Sequence, residues 1–147
     1  MKIELTTEQY QTLLELVFMG NWIVNANKPT DAATAKEYEQ LEKLVFSKAA
    51  EFELKVWADP EGYPSRKFEE ENPVYDYIED YDDYTFWEQL TLRLAKRDML
   101  KKYGKEALSK MSSFERLAEE DQLAEKYLEI FRTNGLEALT LVAPIQF

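Results

Sequence analysis

Histidine and cysteine are both missing from this 147-residue chain. Their absence removes thiol nucleophiles, imidazole general bases, catalytic triads that use either residue, and nearly every zinc, haem or iron–sulfur centre. It also removes disulfides, so nothing in the chain requires an oxidising compartment. The chemistry left is that of Asp, Glu, Lys, Tyr, Ser and Thr. Glycine and proline are scarce, at 4 and 5 residues. That is thin punctuation for a sandwich or barrel, and it favours helices joined by short loops. Long apolar runs are missing too. The longest, Leu16 to Met19, falls far short of the about 20 residues that span a bilayer. The opening MKIELTTEQY lacks the apolar core of a secretory signal. A soluble, cytoplasmic protein with no membrane contact is expected.

Acid and aromatic residues are what the chain does have. Apolar content is 45% and aromatic content 14%, enough to build a core despite 32% charge. A length of 147 residues suits one domain. The net charge of −11 opposes binding to phosphate backbones or anionic lipid, so nucleic acid is not an expected partner.

Along the chain, Thr6-Thr7-Glu8-Gln9 matches a capping box and opens a helix to about Ala26. Its apolar residues, from Leu13 to Val24, project around most of the circumference. This predicts a central helix buried on both sides, or one that adds to a dimer interface. Asn21 and Asn25 beside Trp22 read either as a hydrogen-bonding socket or as the end of the helix. A second helix is expected from roughly Ala32 to Val56, with Tyr38, Leu41, Val45, Ala49 and Phe52 as its buried stripe. Residues 58–73 hold three prolines and read as a long loop. Asn72-Pro73 suits the start of a short helix. Thr85-Phe86-Trp87-Glu88 reads as a second capping box, starting a helix that stops at Gly104. Ser112 to Glu115 is a third, and its helix ends at Asn134-Gly135 with Leu117, Ala124, Tyr127, Leu128 and Phe131 on one face. The termini, Lys2 to Leu5 and Ala138 to Ala143, either pair as a minor two-stranded ribbon or simply cover the bundle.

The segment between Asn72 and Glu88, NPVYDYIEDYDDYTFWE, has a chemistry of its own. Six of the thirteen residues from Tyr75 to Trp87 are aromatic, and nine acids occur between Lys67 and Arg93 with no base among them. On a helix, Tyr77, Tyr81 and Tyr84 align at i, i+4, i+7, with Asp76, Asp80 and Asp83 in an adjacent row. Either the tyrosines pack inward and the carboxylates face water, or both are shown to a cationic partner. The candidate binding residues are Tyr75, Asp76, Tyr77, Asp80, Tyr81, Asp82, Asp83, Tyr84 and Trp87. Downstream the sign reverses, with seven bases against two acids from Arg93 to Lys110. Arg93 and Arg97 are expected to pair with the acids just upstream.

Calcium does not fit this run. An EF-hand loop begun at Asp80 puts Tyr84 at its fifth position, Thr85 where glycine is required and Thr91 where the bidentate Glu belongs. Magnesium asks for less protein ligation, and Asp76, Glu79, Asp80 and Asp83 have suitable helical spacing. No phosphate-cradling GxxxxGK[ST] or GxGxxG accompanies them. Two-carboxylate hydrolysis needs a distinct pair across a cleft, and no pair stands out.

GNWIVNA at Gly20 to Ala26, together with YTFWEQLTLRLAKRD at Tyr84 to Asp98, resembles small acidic bacterial proteins of unassigned function. In those, a Trp-Asn-Ala helix end precedes a Tyr/Asp-rich segment and a Phe-Trp-initiated helix. The resemblance implies a single bacterial cytoplasmic domain and brings no activity.

The expectation is a mainly α protein, one domain over residues 1–147, built as a bundle of four or five helices. Its expected function is non-enzymatic: an interaction or regulatory protein showing the acid–aromatic surface to a basic protein partner or to itself, with no cofactor. The alternative is a carboxylate-dependent, magnesium-assisted enzyme.

Overall fold

The computed structural model describes residues 3–28 and 35–140. The chain is mainly α: α1 Thr7–Asn25, α2 Lys36–Phe46, α3 Arg66–Glu71, α4 Val74–Lys110 and α5 Ser113–Asn134, with short 3₁₀ turns at Ala49–Phe52, Lys55–Trp57 and Gly135–Ala138. It divides into two compact units, Met1–Asp80 and Tyr81–Phe147. Among the described residues no helix is long and apolar enough to cross a membrane.

In the first unit, α1 begins at the expected capping box. Gln9 N–H donates to Thr6 Oγ1 at 3.3 Å and Thr6 N–H to Gln9 Oε1 at 3.0 Å, satisfying two orphan donors. Tyr10, Leu14 and Phe18, one turn apart in succession, are the residues it buries. Leu13, Val17, Met19 and Trp22 pack partly buried against the same core, but Leu16 and Ile23 are 58% and 57% exposed. The helix is therefore buried on one face, not two. Phe68 of α3 is the hub of the core, with edge contacts to Phe18, Phe46 and Trp57 at ring-centroid distances of 5.4, 5.0 and 5.5 Å.

α2 is shorter than the sequence suggests. It ends at Phe46, and the chain turns through two 3₁₀ segments joined by Glu53 at φ 64° and by Leu54. This break brings Phe52 flat onto Tyr10, with centroids 3.9 Å apart. Of the expected stripe, Ala49 is buried and Val45 and Phe52 pack partly buried against the core, whereas its first two residues do not. Tyr38 and Leu41 are exposed, while Glu42, Phe46 and Ala49 are buried at i, i+4, i+7.

The expected loop over residues 58–73 is largely structured. Asp59 Oδ1 accepts N–H bonds from Glu61 and Tyr63, both at 2.8 Å, and an isolated bridge joins Ala58 to Pro64. Gly62 completes the turn at φ 86°, and a Cβ there would lie 3.1 Å from Ser47 Cβ and 3.3 Å from Lys43 O. Ser65 caps α3 by accepting from Phe68 N–H.

Instead of two helices separated near Tyr81, α4 runs on as one from Val74 to the expected stop at Gly104, where the backbone leaves helical geometry (φ 73°, ψ 162°) before a further helical stretch to Lys110. A capping box starts a helix only where the chain has turned, and residues 74–103 contain no glycine or proline to turn it. In the second unit α4 and α5 lie antiparallel, and Trp87 meets Phe131 at 5.2 Å. Lys96 pairs with Glu120 at 3.4 Å and Lys102 with Glu119 at 2.9 Å. Among its described residues Thr91, Ala95, Met99 and Phe131 are buried. The Ser112–Glu115 box and the stop at Gly135 form as expected, though Leu117 of the predicted face is exposed. No strand occurs among the described residues, including 3–5 and 138–140. The remainder of the suggested terminal ribbon lies outside them.

Candidate functional site

The acid–aromatic segment is the first part of α4, and Asn72 fixes where it starts. This buried side chain donates to Glu15 Oε1 of α1 at 2.9 Å and accepts from Val74 N–H at 3.2 Å. Val74 and Ile78 then enter the core of the first unit. With those two inward, helical periodicity turns the neighbouring positions out. Asp76, Tyr77, Glu79 and Asp80 are exposed at the end of the first unit, and Tyr81, Asp82, Asp83 and Tyr84 at the start of the second. Tyr77, Tyr81 and Tyr84 are 51%, 61% and 62% exposed, so these rings do not pack inward.

Two of the sequence-derived candidates are held differently. Tyr75 sets its ring edge-on to Phe18 at 5.5 Å; burial raises its pKa, with Glu69 and Glu42 adding to the shift. Trp87 is half-buried between Phe86 and Phe131, its indole N–H donating to Asp83 Oδ1 at 3.2 Å. Tyr84 O–H donates to Glu88 Oε1 at 3.0 Å, and that bond raises its pKa. Among the described residues no group of three or more acids is placed to hold a metal ion.

The charges on α4 are treated unequally. No base lies within ion-pair range of Asp76, Glu79, Asp80, Asp82 or Asp83 among the described residues, whereas Lys96, Arg97, Lys101, Lys102 and Lys110 each have an acid. Arg97 does not reach upstream as expected. It binds Asp98 at 2.8 Å and the Tyr127 hydroxyl at 3.0 Å, and Tyr127 donates to Asp98. These bonds, Arg97's first, hold the Asp98 carboxyl down at about 2. Among the described residues Arg93 has no acid within ion-pair range.

A second polar group lies in the first unit, and sequence reasoning reached its two asparagines but not its carboxylate. Glu42 is 5% exposed and accepts from Asn21 Nδ2 at 3.0 Å. Asn25 Nδ2 donates to Asn21 Oδ1 at 2.7 Å, and Asn25 Oδ1 accepts from Ala35 N–H at 2.9 Å. The two asparagines thus form the socket, and Glu42 is its occupant. Burial pushes the Glu42 carboxyl up to about 7, against the Asn21 bond and with help from Glu39 and Glu69. Its signal in the sequence is the 42–46–49 spacing, masked by the larger apolar residues Tyr38, Leu41 and Leu44.

The class these features define is a helical protein with an unpaired acid–aromatic helix surface. Comparison with protein-family models, curated proteins and solved structures finds no match to this chain.

Proposed function

We propose that this protein is an interaction module whose α4 surface, Asp76 to Tyr84, receives a basic segment of another protein. The observation that carries this reading is the exposure of Tyr77, Tyr81 and Tyr84 beside carboxylates with no base in ion-pair range among the described residues. Exposed tyrosines supply large contact area at low entropic cost, and unpaired acids supply attraction and orientation. A second copy is the weaker occupant, because five of the bases it would offer are already engaged by acids of its own unit. The setting that fits is the cytoplasm, with basic protein segments as partners and neither cofactor nor membrane involved.

The test is binding of a fluorescent lysine- and arginine-rich peptide followed by anisotropy. Raising salt from about 50 to about 300 mM is expected to weaken it roughly tenfold. Asp76→Asn/Asp80→Asn/Asp83→Asn and Tyr77→Ala/Tyr81→Ala are each expected to weaken it at low salt. Binding that ignores salt and both variants, or no binding at all, removes the reading. A thermal-stability rise with millimolar Mg²⁺ that Asp80→Asn abolishes would instead favour the metal-assisted alternative.

A further inference from the structure

We infer that the groove between α4 and α5 in the second unit seats an arginine side chain of the basic segment. The inference rests on the functional reading above and adds to it a specific anchor. The groove has a volume of about 440 Å³, within the range of small-ligand sites. Four residues of α4 line it at i, i+4, i+7 and i+8: Tyr84, Glu88, Thr91 and Leu92. That spacing places all four on one face of α4.

Thr91 distinguishes the groove from a merely acidic surface. It is 5% exposed, and its hydroxyl oxygen has no hydrogen-bond partner. A buried hydroxyl left unpartnered costs free energy until something supplies the bond. Across from it, Asp121 and Glu125 stand one turn apart on α5, neither within ion-pair range of a base among the described residues. Acceptors therefore predominate, and the fitting guest is rich in donors. Guanidinium has five N–H donors and no acceptor, enough for both carboxylates and the threonine. Leu92 and Leu128 provide apolar surface for its alkyl stem, and the exposed Tyr84 belongs to the same lining. Arg132, the one base of the lining, lies seven residues beyond Glu125, which leaves the Asp121–Glu125 end for the incoming charge.

The experiment compares labelled hexa-arginine and hexa-lysine binding to the full chain by anisotropy, with helicity and melting recorded for each variant. Expected are at least threefold preference for arginine, about tenfold loss with Asp121→Asn/Glu125→Gln, and about threefold loss with the isosteric Thr91→Val. The charge-matched control is Glu70→Gln/Glu71→Gln, on exposed residues of the first unit. If the α5 pair costs no more than this control while Tyr81→Ala still weakens binding, the groove is overturned and the α4 surface stands. Loss with the α5 pair but not with Tyr81→Ala supports the groove and removes the tyrosine surface. No binding of either peptide overturns both.

Discussion

Glu42 shows how one side chain ties burial to pH. Its carboxyl faces Asn21 from α1, Glu39 from its own helix and Glu69 from α3, and influences Tyr75 on α4. Carried from an ordinary 4.5 to about 7, it keeps in the folded state a proton that the unfolded chain releases. The stability this provides is full below pH 4.5, falls as pH climbs through 7 and is gone above it. The loss is on the order of 1–2 kcal/mol once solvent screening is allowed for. Glu42→Gln keeps an acceptor for Asn21 and cannot ionise. Urea melts from pH 5 to pH 8 are expected to show the wild-type decline flattened in this variant, which is the more stable protein above pH 7. An unchanged slope would place the pH dependence elsewhere. A lone glutamate between Leu41 and Lys43 looks like a solvated residue in the sequence. Only the packing of α1 and α3 against α2 shows which face is inside.

At the scale of elements, local signals were readable where they stood next to a real chain reversal. Thr6 and Ser112 each follow residues outside a helix, and each forms its capping box. Thr85 carries the same letters, three residues before Glu88 in the middle of α4, and caps nothing. The side-chain oxygen is the same acceptor at the two kinds of position; what differs is whether free N–H groups are present to donate to it. Ser112→Ala is therefore expected to cost about 1 kcal/mol in urea melts. Thr85→Ala should stay within about 0.5 kcal/mol of wild type, since alanine favours the helix that surrounds it. Equal losses at the two sites would mean that α4 is broken before Thr85. The break in α2 was less legible, because it depends on Phe52 finding Tyr10, a contact across some forty residues that no local pattern records.

Across the whole molecule, the boundary at Asp80 and Tyr81 leaves no mark in composition because it falls inside a helix. The acid–aromatic surface was legible as chemistry, while its exposure followed from Val74 and Ile78 taking the inward positions. Among the described residues the two units differ in how much they bury. The first gathers Tyr10, Leu14, Phe18, Phe46, Ala49, Phe68, Val74 and Ile78 into one cluster. The second buries Thr91, Ala95, Met99 and Phe131, and relies on ion pairs at an exposed surface, which contribute little each. Stability follows apolar burial, so the second unit is expected to open first as denaturant rises. Tryptophan reports this directly, since Trp57 packs on Phe68 in one unit and Trp87 on Phe131 in the other. In Trp22→Phe/Trp57→Phe, fluorescence comes from Trp87 alone, and its midpoint is expected about 0.5–1 M urea below that of Trp22→Phe/Trp87→Phe, which reports Trp57. Circular dichroism on both variants separates this order from damage by the substitutions themselves. Helix loss should begin with the Trp87 signal and finish with the Trp57 signal in each. Coincident curves from both reporters would show that the larger core does not hold its unit together any longer than the smaller one.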